Sequence, residues 1–320
     1  MTDGPLVSVV TPVYNGEEHL AECIESVLAQ TYRNWEYVIA NNCSTDKSLA
    51  IAHSYAARDP RIRVHDNTTF LRIIPNHNNA LRQVAPASKY CKMIFADDWL
   101  YPECLERMVT LAEAHPSIGI LSGYALRGTS VVYTGLPYTS TVIPGREVCR
   151  LRFFGGPFVF GSPTAHMIRS DLVRSRRPFY NESNLHADAE VCFDLLKQCD
   201  FGFVHQVVCY SRQREESMTM VSKDLNSMLA GTLYDIVKHG PSYLTPAEMQ
   251  RCLKLHMRRY YNFLGRSMWQ KKDKQFWTYH KDKLCEVGLR LDRLRLWQWA
   301  FLNAVKRTIE QLSGGHVKIA

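Results

Sequence analysis

The sequence has no cysteine pair at the spacing of a redox or zinc motif, no apolar run approaching the roughly twenty residues that span a bilayer, and no internal repeat. Its amino terminus, Met1-Thr2-Asp3-Gly4-Pro5, carries neither the basic nor the apolar region of a secretory signal, so a cytoplasmic location is expected. The ten cysteines, Cys23, Cys43, Cys91, Cys104, Cys149, Cys192, Cys199, Cys209, Cys252 and Cys285, are scattered and read as reduced, mostly buried thiols. No recognised nucleic-acid motif accompanies the formal charge of +8, so nucleic acid is not an expected partner. What is present is a chain of 320 residues, 46% of them hydrophobic, enough for a sizeable core in one large domain or one domain with an appendage.

The charge is unevenly spread. Residues 251–310 hold fifteen Lys and Arg against five acids, a local +10 that leaves the remainder slightly acidic. Leu6 to Val10 reads as a buried strand entering the breaker-rich turn Thr11 to Gly16. Leu20, Cys23, Ile24, Val27 and Leu28 then recur at helical spacing, with acids in the first turn. A second strand, Trp35 to Ala40, precedes a helix over 49–57. Ile62 to Val64 and Lys92 to Phe95 read as strands three and four, with a helix over 79–87 before the fourth. Strand and helix alternating at this spacing predict a parallel sheet. From Leu121 to Ala165 the pattern breaks into short β-like runs and a Gly/Pro-rich segment, Gly155 to Pro163, read as mixed sheet and loop that either shapes a second substrate's site or simply connects. A helix over 189–198 and a strand, Phe201 to Val204, follow. Beyond Asp224 the pattern is helical, with a start signal at Thr245-Pro246-Ala247-Glu248 and Gly265 as an expected helix end.

The strand ends collect the polar residues: Tyr14-Asn15-Gly16, Asn41 to Asp46, and Ala96-Asp97-Asp98-Trp99. Carboxyl ends of parallel strands are where open α/β sheets hold ligands. Asp97 and Asp98 repel each other there unless a cation lies between them, and a hard divalent ion relieves the repulsion while leaving positions for phosphate oxygens. Loop residues or helix caps with their charges in water are the plainer reading of such a pair.

The order and spacing of four segments, Pro12-Val13-Tyr14-Asn15-Gly16, Ser44-Thr45-Asp46, Asn76-His77-Asn78-Asn79-Ala80-Leu81 and Ala96-Asp97-Asp98-Trp99-Leu100-Tyr101-Pro102, resemble those of the inverting family 2 glycosyltransferases of the GT-A fold. The resemblance implies an α/β fold with a mixed, mostly parallel sheet flanked by helices, with residues 1–222 as catalytic domain and 223–320 as a basic helical extension. It implies a nucleotide-diphosphate sugar as donor, a glycan or lipid-linked acceptor, and a divalent metal, Mn or Mg, on Asp98 with Asp97 beside it and nearer the sugar nucleotide. Pro12 and Tyr14 would lie at the nucleotide, with Tyr14 against the base. Asn42 stands where the family usually has an aspartate accepting the base's N3 hydrogen; an amide oxygen still accepts, without the charge. Phe95 stands where the usual Asp-x-Asp has its first acid. Asp188 aligns with the general base, Glu190 being the alternative, and both also fit first-turn acids of the helix that follows. Arg212 and Arg214 lie in a segment resembling the loop that folds over the diphosphate, which also reads as a solvated basic loop. Asp46 is expected to cap the next helix. A competing class, a non-catalytic sugar-nucleotide or glycan-binding protein that kept the fold, is motivated by Phe95 and Asn42. A nucleotidylyltransferase would want a Gly-rich phosphate loop near the amino terminus, and Pro12 to Gly16 is not one.

The basic tail leaves two readings open. Leu294, Trp297, Phe301, Val305, Ile309 and Leu312 form a helical stripe with Arg293, Arg295, Lys306 and Arg307 around it. Such a stripe fits peripheral contact with the inner membrane face, or packing on the catalytic domain or a second subunit.

Overall fold

The computed structural model of the protein describes residues 4–213, 225–270 and 272–312, with side chains to 309. The chain divides into two compact units, Met1–Arg214 and Glu215–Ala320. The first opens with β1 (Val7–Val13), α1 (Leu20–Leu28), β2 (Trp35–Asn41), α2 (Ser48–Ala56), β3 (Ile62–Asp66), α3 (Ile73–Leu81) and β4 (Tyr90–Met93). β1 is buried along its whole length, which is why it reads as an apolar run and not as an alternation. β3, β2, β1 and β4 lie side by side and parallel, with Val13 opposite Asn41 and Val10 opposite Met93. α1 buries Leu20, Cys23, Ile24 and Val27.

The remainder of this unit completes the sheet. It comprises β5 (Trp99–Leu100), α4 (Cys104–Ala114), β6 (Ile118–Arg127), β7 (Ser130–Val132), β8 (Val142–Ile143), α5 (Gly145–Phe153), β9 (Met167–Arg169), α6 (Ser170–Arg174), α7 (Ala187–Leu195) and β10 (Asp200–Tyr210). Strand order runs β3-β2-β1-β4-β9-β6-β10-β5, with β7 on β6 and β8 on β10. β9 is antiparallel to both its neighbours, so the sheet is mixed. All ten cysteines are free thiols, eight of them buried.

Three expectations from the sequence need correction, those for α3, β10 and Gly265, whereas the short strands and the loop expected over 121–165 are present as β7, β8 and the Gly/Pro-rich segment. α3 starts at Ile73, so the helix expected over 79–87 is mostly the turn after it. Its buried face includes Asn76 and Asn78, whose amides are satisfied by Asn67 and by the Tyr180 backbone, and apolar periodicity cannot register such a face. β10 continues past Val204 to Tyr210, with register shifts against β6 near Val207 that hide its period. The Gly/Pro-rich segment ends in a buried 3-10 turn, Pro163–Ala165, and feeds β9 into the middle of the sheet between β4 and β6. Gly265 does not end its helix, which continues to Trp269.

The second unit contains α8 (Ser227–Tyr243), α9 (Pro246–Trp269), α10 (Lys274–Glu286) and α11 (Arg293–Leu312). The Thr245 hydroxyl accepts from the Glu248 N–H and the Glu248 carboxylate accepts from the Thr245 N–H, the reciprocal cap its sequence announces. Its core gathers Leu233, Tyr260, Tyr261, Leu264, Phe276, Leu284 and Leu296. Gly265 lies inside α9, where α11 crosses: a Cβ there would sit 2.8 Å from both the Ala300 nitrogen and the Trp299 carbonyl carbon. The glycine is a contact point between helix backbones. Gly265→Ala would gain about 1 kcal/mol of helix propensity, but overpacking against backbone costs roughly 1–3 kcal/mol. The expected net result is faster hydrogen exchange in α9 and α11 and a lower thermal midpoint; a raised midpoint would show that the crossing is not tight.

Candidate active site

The parallel register brings the carboxyl ends of β1, β2 and β4 together: the Asn42 N–H donates to the Val13 carbonyl at 2.8 Å and the Ile94 N–H to the Val10 carbonyl at 3.0 Å. The turn after β1 is locked to the turn after β2. Asn15 takes a left-handed conformation (φ 48°), and the N–H groups of Asn15, Gly16 and Glu17 donate to Ser44 Oγ (3.0 Å), Ser48 Oγ (2.8 Å) and Asp46 Oδ2 (2.9 Å). The other Asp46 oxygen accepts from the Ser48 N–H at 2.9 Å; the residue at the N-cap of α2 is Lys47 and not Asp46, which lies one residue ahead of it and brackets the two turns.

Pro12 is buried in β1, and Tyr14 is half exposed, edge-on to Phe70 with ring centroids 4.9 Å apart. Asn42 is buried and fully engaged. Its Nδ2 donates to the Leu71 carbonyl (2.8 Å), while its Oδ1 accepts from the Leu71 N–H (2.9 Å) and from Asn67 Nδ2 (3.0 Å). The Leu71 peptide thus presents to Asn42 the adjacent donor and acceptor that a nucleobase edge presents. Asn67 is held in turn by Asn76 and Asn79.

Asp97 and Asp98 sit in the turn after β4, closed by the Asp98 N–H donating to the Phe95 carbonyl at 3.0 Å. Asp98 is only 3% exposed. One carboxylate oxygen accepts from the Thr164 hydroxyl at 2.6 Å, and the other from the Arg212 backbone N–H at 2.9 Å. Burial, reinforced by the neighbouring Asp97, pushes the Asp98 carboxyl up to about 7, against the pull of those two hydrogen bonds and of Arg127. Two adjacent carboxylates, the buried one with an elevated proton affinity, form a hard-oxygen donor set of the kind that suits a divalent cation.

Arg212 reaches this pair because β10 runs on to Tyr210, where β5 pairs with it and Trp99 stacks on Tyr210 at 3.8 Å. Its Nε donates to the Asp97 carbonyl (3.1 Å) and its terminal nitrogen pairs with Glu22 (2.6 Å). Arg214 lies outside the described residues.

Asp188 occupies the first turn of α7, where its carboxylate accepts from the Ala189 N–H at 2.9 Å. Burial raises its proton affinity. Glu190, two residues on, is fully buried and accepts from Asn181 and Asn184, which makes it a bracket for the 181–184 segment. Arg127 and Tyr133 connect the two carboxylate centres: Arg127 acts on Asp98 and donates to the Tyr133 hydroxyl at 2.9 Å, and Tyr133, raised by burial, also senses Asp188. Tyr133 holds a left-handed backbone (φ 64°), a costly state for an aromatic residue and one that recurs at functional sites. Thr164, Arg127, Tyr133 and Glu22 escaped the sequence reading. The one signal for Thr164 was Pro163 opening its turn; for Tyr133 there was none.

The Glycosyl transferase family 2 model matches residues 8–177, just over half of the chain. The chain is 40% identical over 116 residues to the putative glycosyltransferase EpsE of Bacillus subtilis, covering 36% of this chain and 41% of that protein. It spans less than half the length of the curated relatives it matches. Among solved structures it superposes on S. aureus TarS 1-349 in complex with UDP-GlcNAc with a TM-score of 0.66 at 17% identity, covering 88% of this chain and 80% of that one. It also superposes on the mannosyltransferase PcManGT from Pyrobaculum calidifontis, in complex with GDP-Man and Mn2+, with a TM-score of 0.55 at 14% identity, covering 97% and 88%. By the extent of the family match and the sheet it shares with these neighbours, the chain belongs to glycosyl transferase family 2 and has the GT-A fold.

Proposed function

We propose that the protein transfers a sugar from a nucleotide-diphosphate donor to a hydroxyl of a glycan or lipid-linked acceptor, with inversion, in polysaccharide or glycoconjugate synthesis. Residues 1–222 serve as the catalytic domain and 223–320 as a basic helical extension. The observation that carries this reading is Asp98: a buried carboxylate, beside a second one, where three parallel strand ends meet. The TarS complex with UDP-GlcNAc and the PcManGT complex with GDP-Man and Mn2+ support a nucleotide-sugar donor and a metal.

Asp98, fixed from both sides by Thr164 and Arg212, and Asp97 would hold a divalent cation, Mn or Mg, which when bound would offset the charge that develops on the leaving diphosphate. Arg212 adds a guanidinium to the same place, exchanging its Glu22 partner for phosphate. Pro12 and Tyr14 line the nucleotide, and a base read by Asn42 displaces the Leu71 peptide. Asp188 accepts the acceptor's hydroxyl proton as that oxygen attacks the anomeric carbon from the face opposite the diphosphate. The bond from the anomeric carbon to the phosphate oxygen breaks as the new one forms. A carboxylate with raised proton affinity is the better base for that step.

Two outcomes are expected. Asp188→Asn should lower transfer by roughly 10²–10⁴-fold with the donor's thermal shift retained, whereas Asp98→Ala should abolish both transfer and the metal-dependent part of the shift given by UDP, GDP or dTDP sugars. Full transfer by either variant would sink its assigned role, and donor binding by the wild type without turnover on a broad acceptor panel would favour a binding protein. The second outcome concerns pH. With its carboxyl near 7, Asp98 holds a proton below that pH, and a cation must displace it. Mn2+ affinity measured by calorimetry on the wild type should rise with pH through 7 and level off above it, falling by up to about tenfold per unit on the acid side. A flat profile between pH 6 and 8 would separate Asp98 from the metal.

A further inference from the structure

The exposed stripe on α11 is not the face by which that helix packs. α11 meets α9 through Leu296, Trp299, Ala300 and Asn303: Leu296 and Ala300 are buried, Trp299 and Ala300 abut Gly265, and Asn303 accepts from Arg266 at 3.0 Å. At 100° per residue the apolar side chains Leu294, Trp297, Phe301, Val305 and Ile309 fall on the opposite side. They are open to solvent, with Leu294 at 71%, Trp297 at 61% and Phe301 at 68% exposure. Five large apolar groups in one exposed row call for a covering surface.

The charges say which surface. An arc of about 140°, from Trp297 round to Leu302, carries no charged side chain. Arg295 and Lys306 border it on one side and Arg293 on the other, in a segment whose local charge is +10 over 251–310. A second copy of the chain would bring like-charged borders together, which opposes a symmetric pair. An anionic lipid surface meets both requirements, with acyl chains taking the stripe and headgroup phosphates taking the cations, and a Trp in the row suits the depth at which these meet. No described helix is long and apolar enough to cross a membrane, so α11 would lie on the surface. We propose that α11 docks the protein on anionic membrane surfaces through the Leu294–Ile309 stripe, a role that rests on the helix alone and not on the transferase activity.

The test is co-sedimentation of the full chain with vesicles of phosphatidylcholine alone and of phosphatidylcholine with a quarter phosphatidylglycerol. The wild type should bind the anionic vesicles and not the neutral ones, with hydrogen-exchange protection gained in α11. Arg293→Gln with Lys306→Gln should weaken binding by about tenfold or more, and Trp297→Ser with Phe301→Ser should abolish it while leaving the thermal midpoint unchanged, since both side chains are exposed. No binding, or equal binding to both vesicles, would overturn the proposal. So would light scattering that shows a dimer dissociated by Trp297→Ser with Phe301→Ser, or protection on vesicles that appears elsewhere than α11. Because neither donor nor acceptor takes part, failure here leaves the transferase reading standing, and failure of transfer leaves this one.

Discussion

The first unit is organised around a carboxylate taken out of water. Burying Asp98 beside Asp97 pushes its carboxyl up to about 7 in spite of its hydrogen bonds, so keeping it ionised there costs free energy. A fold tolerates that only if the carboxylate is held by donors, and the donors come from far apart in the chain. Thr164 arrives on the turn before β9, and the Arg212 N–H arrives at the end of β10. Both depend on the antiparallel part of the sheet. Without β9 between β4 and β6, and without β5 on the last two residues of β10, neither donor would reach the turn after β4.

This explains which parts of the site were legible in the sequence. The β1, β2 and β4 ends, and Asp97 with Asp98, could be read because local period and turn chemistry place them without reference to distant segments. The supporting residues could not. Thr164 lies in a Gly/Pro-rich stretch with no period, and Arg127 and Tyr133 flank a hairpin whose returning strand, β7, has only three residues. β10 was visible only to Val204, since its irregular register erases the alternation along the six residues, 205–210, that carry Arg212 into place. Asn76 and Asn78 show the same blindness in helical form: a polar face satisfied by partners at Asn67 and Tyr180 looks like a loop.

Asn42 illustrates a local substitution absorbed by its surroundings. Where the family usually has a charged acceptor, the chain has an amide that closes a two-point pair with its own Leu71 peptide. An aspartate could not donate to the Leu71 carbonyl, so the amide and the 67–71 segment are matched to each other. In the second unit, Gly265 was legible as an exception to helix but not in its meaning, because what it contacts, the backbone of Trp299 and Ala300, is more than thirty residues away. That contact also decides which side of α11 is left for other partners.

The central claim is that Asp97 and Asp98 hold a metal at the donor site. Anomalous diffraction at the manganese edge, from crystals of the protein grown with Mn2+ and a nucleoside diphosphate, tests it most directly. The account predicts a single strong peak about 2 Å from an Asp98 carboxylate oxygen, shared with Asp97 or the diphosphate. A well-occupied nucleotide with no metal peak at that carboxylate, or a peak on other residues, would contradict it.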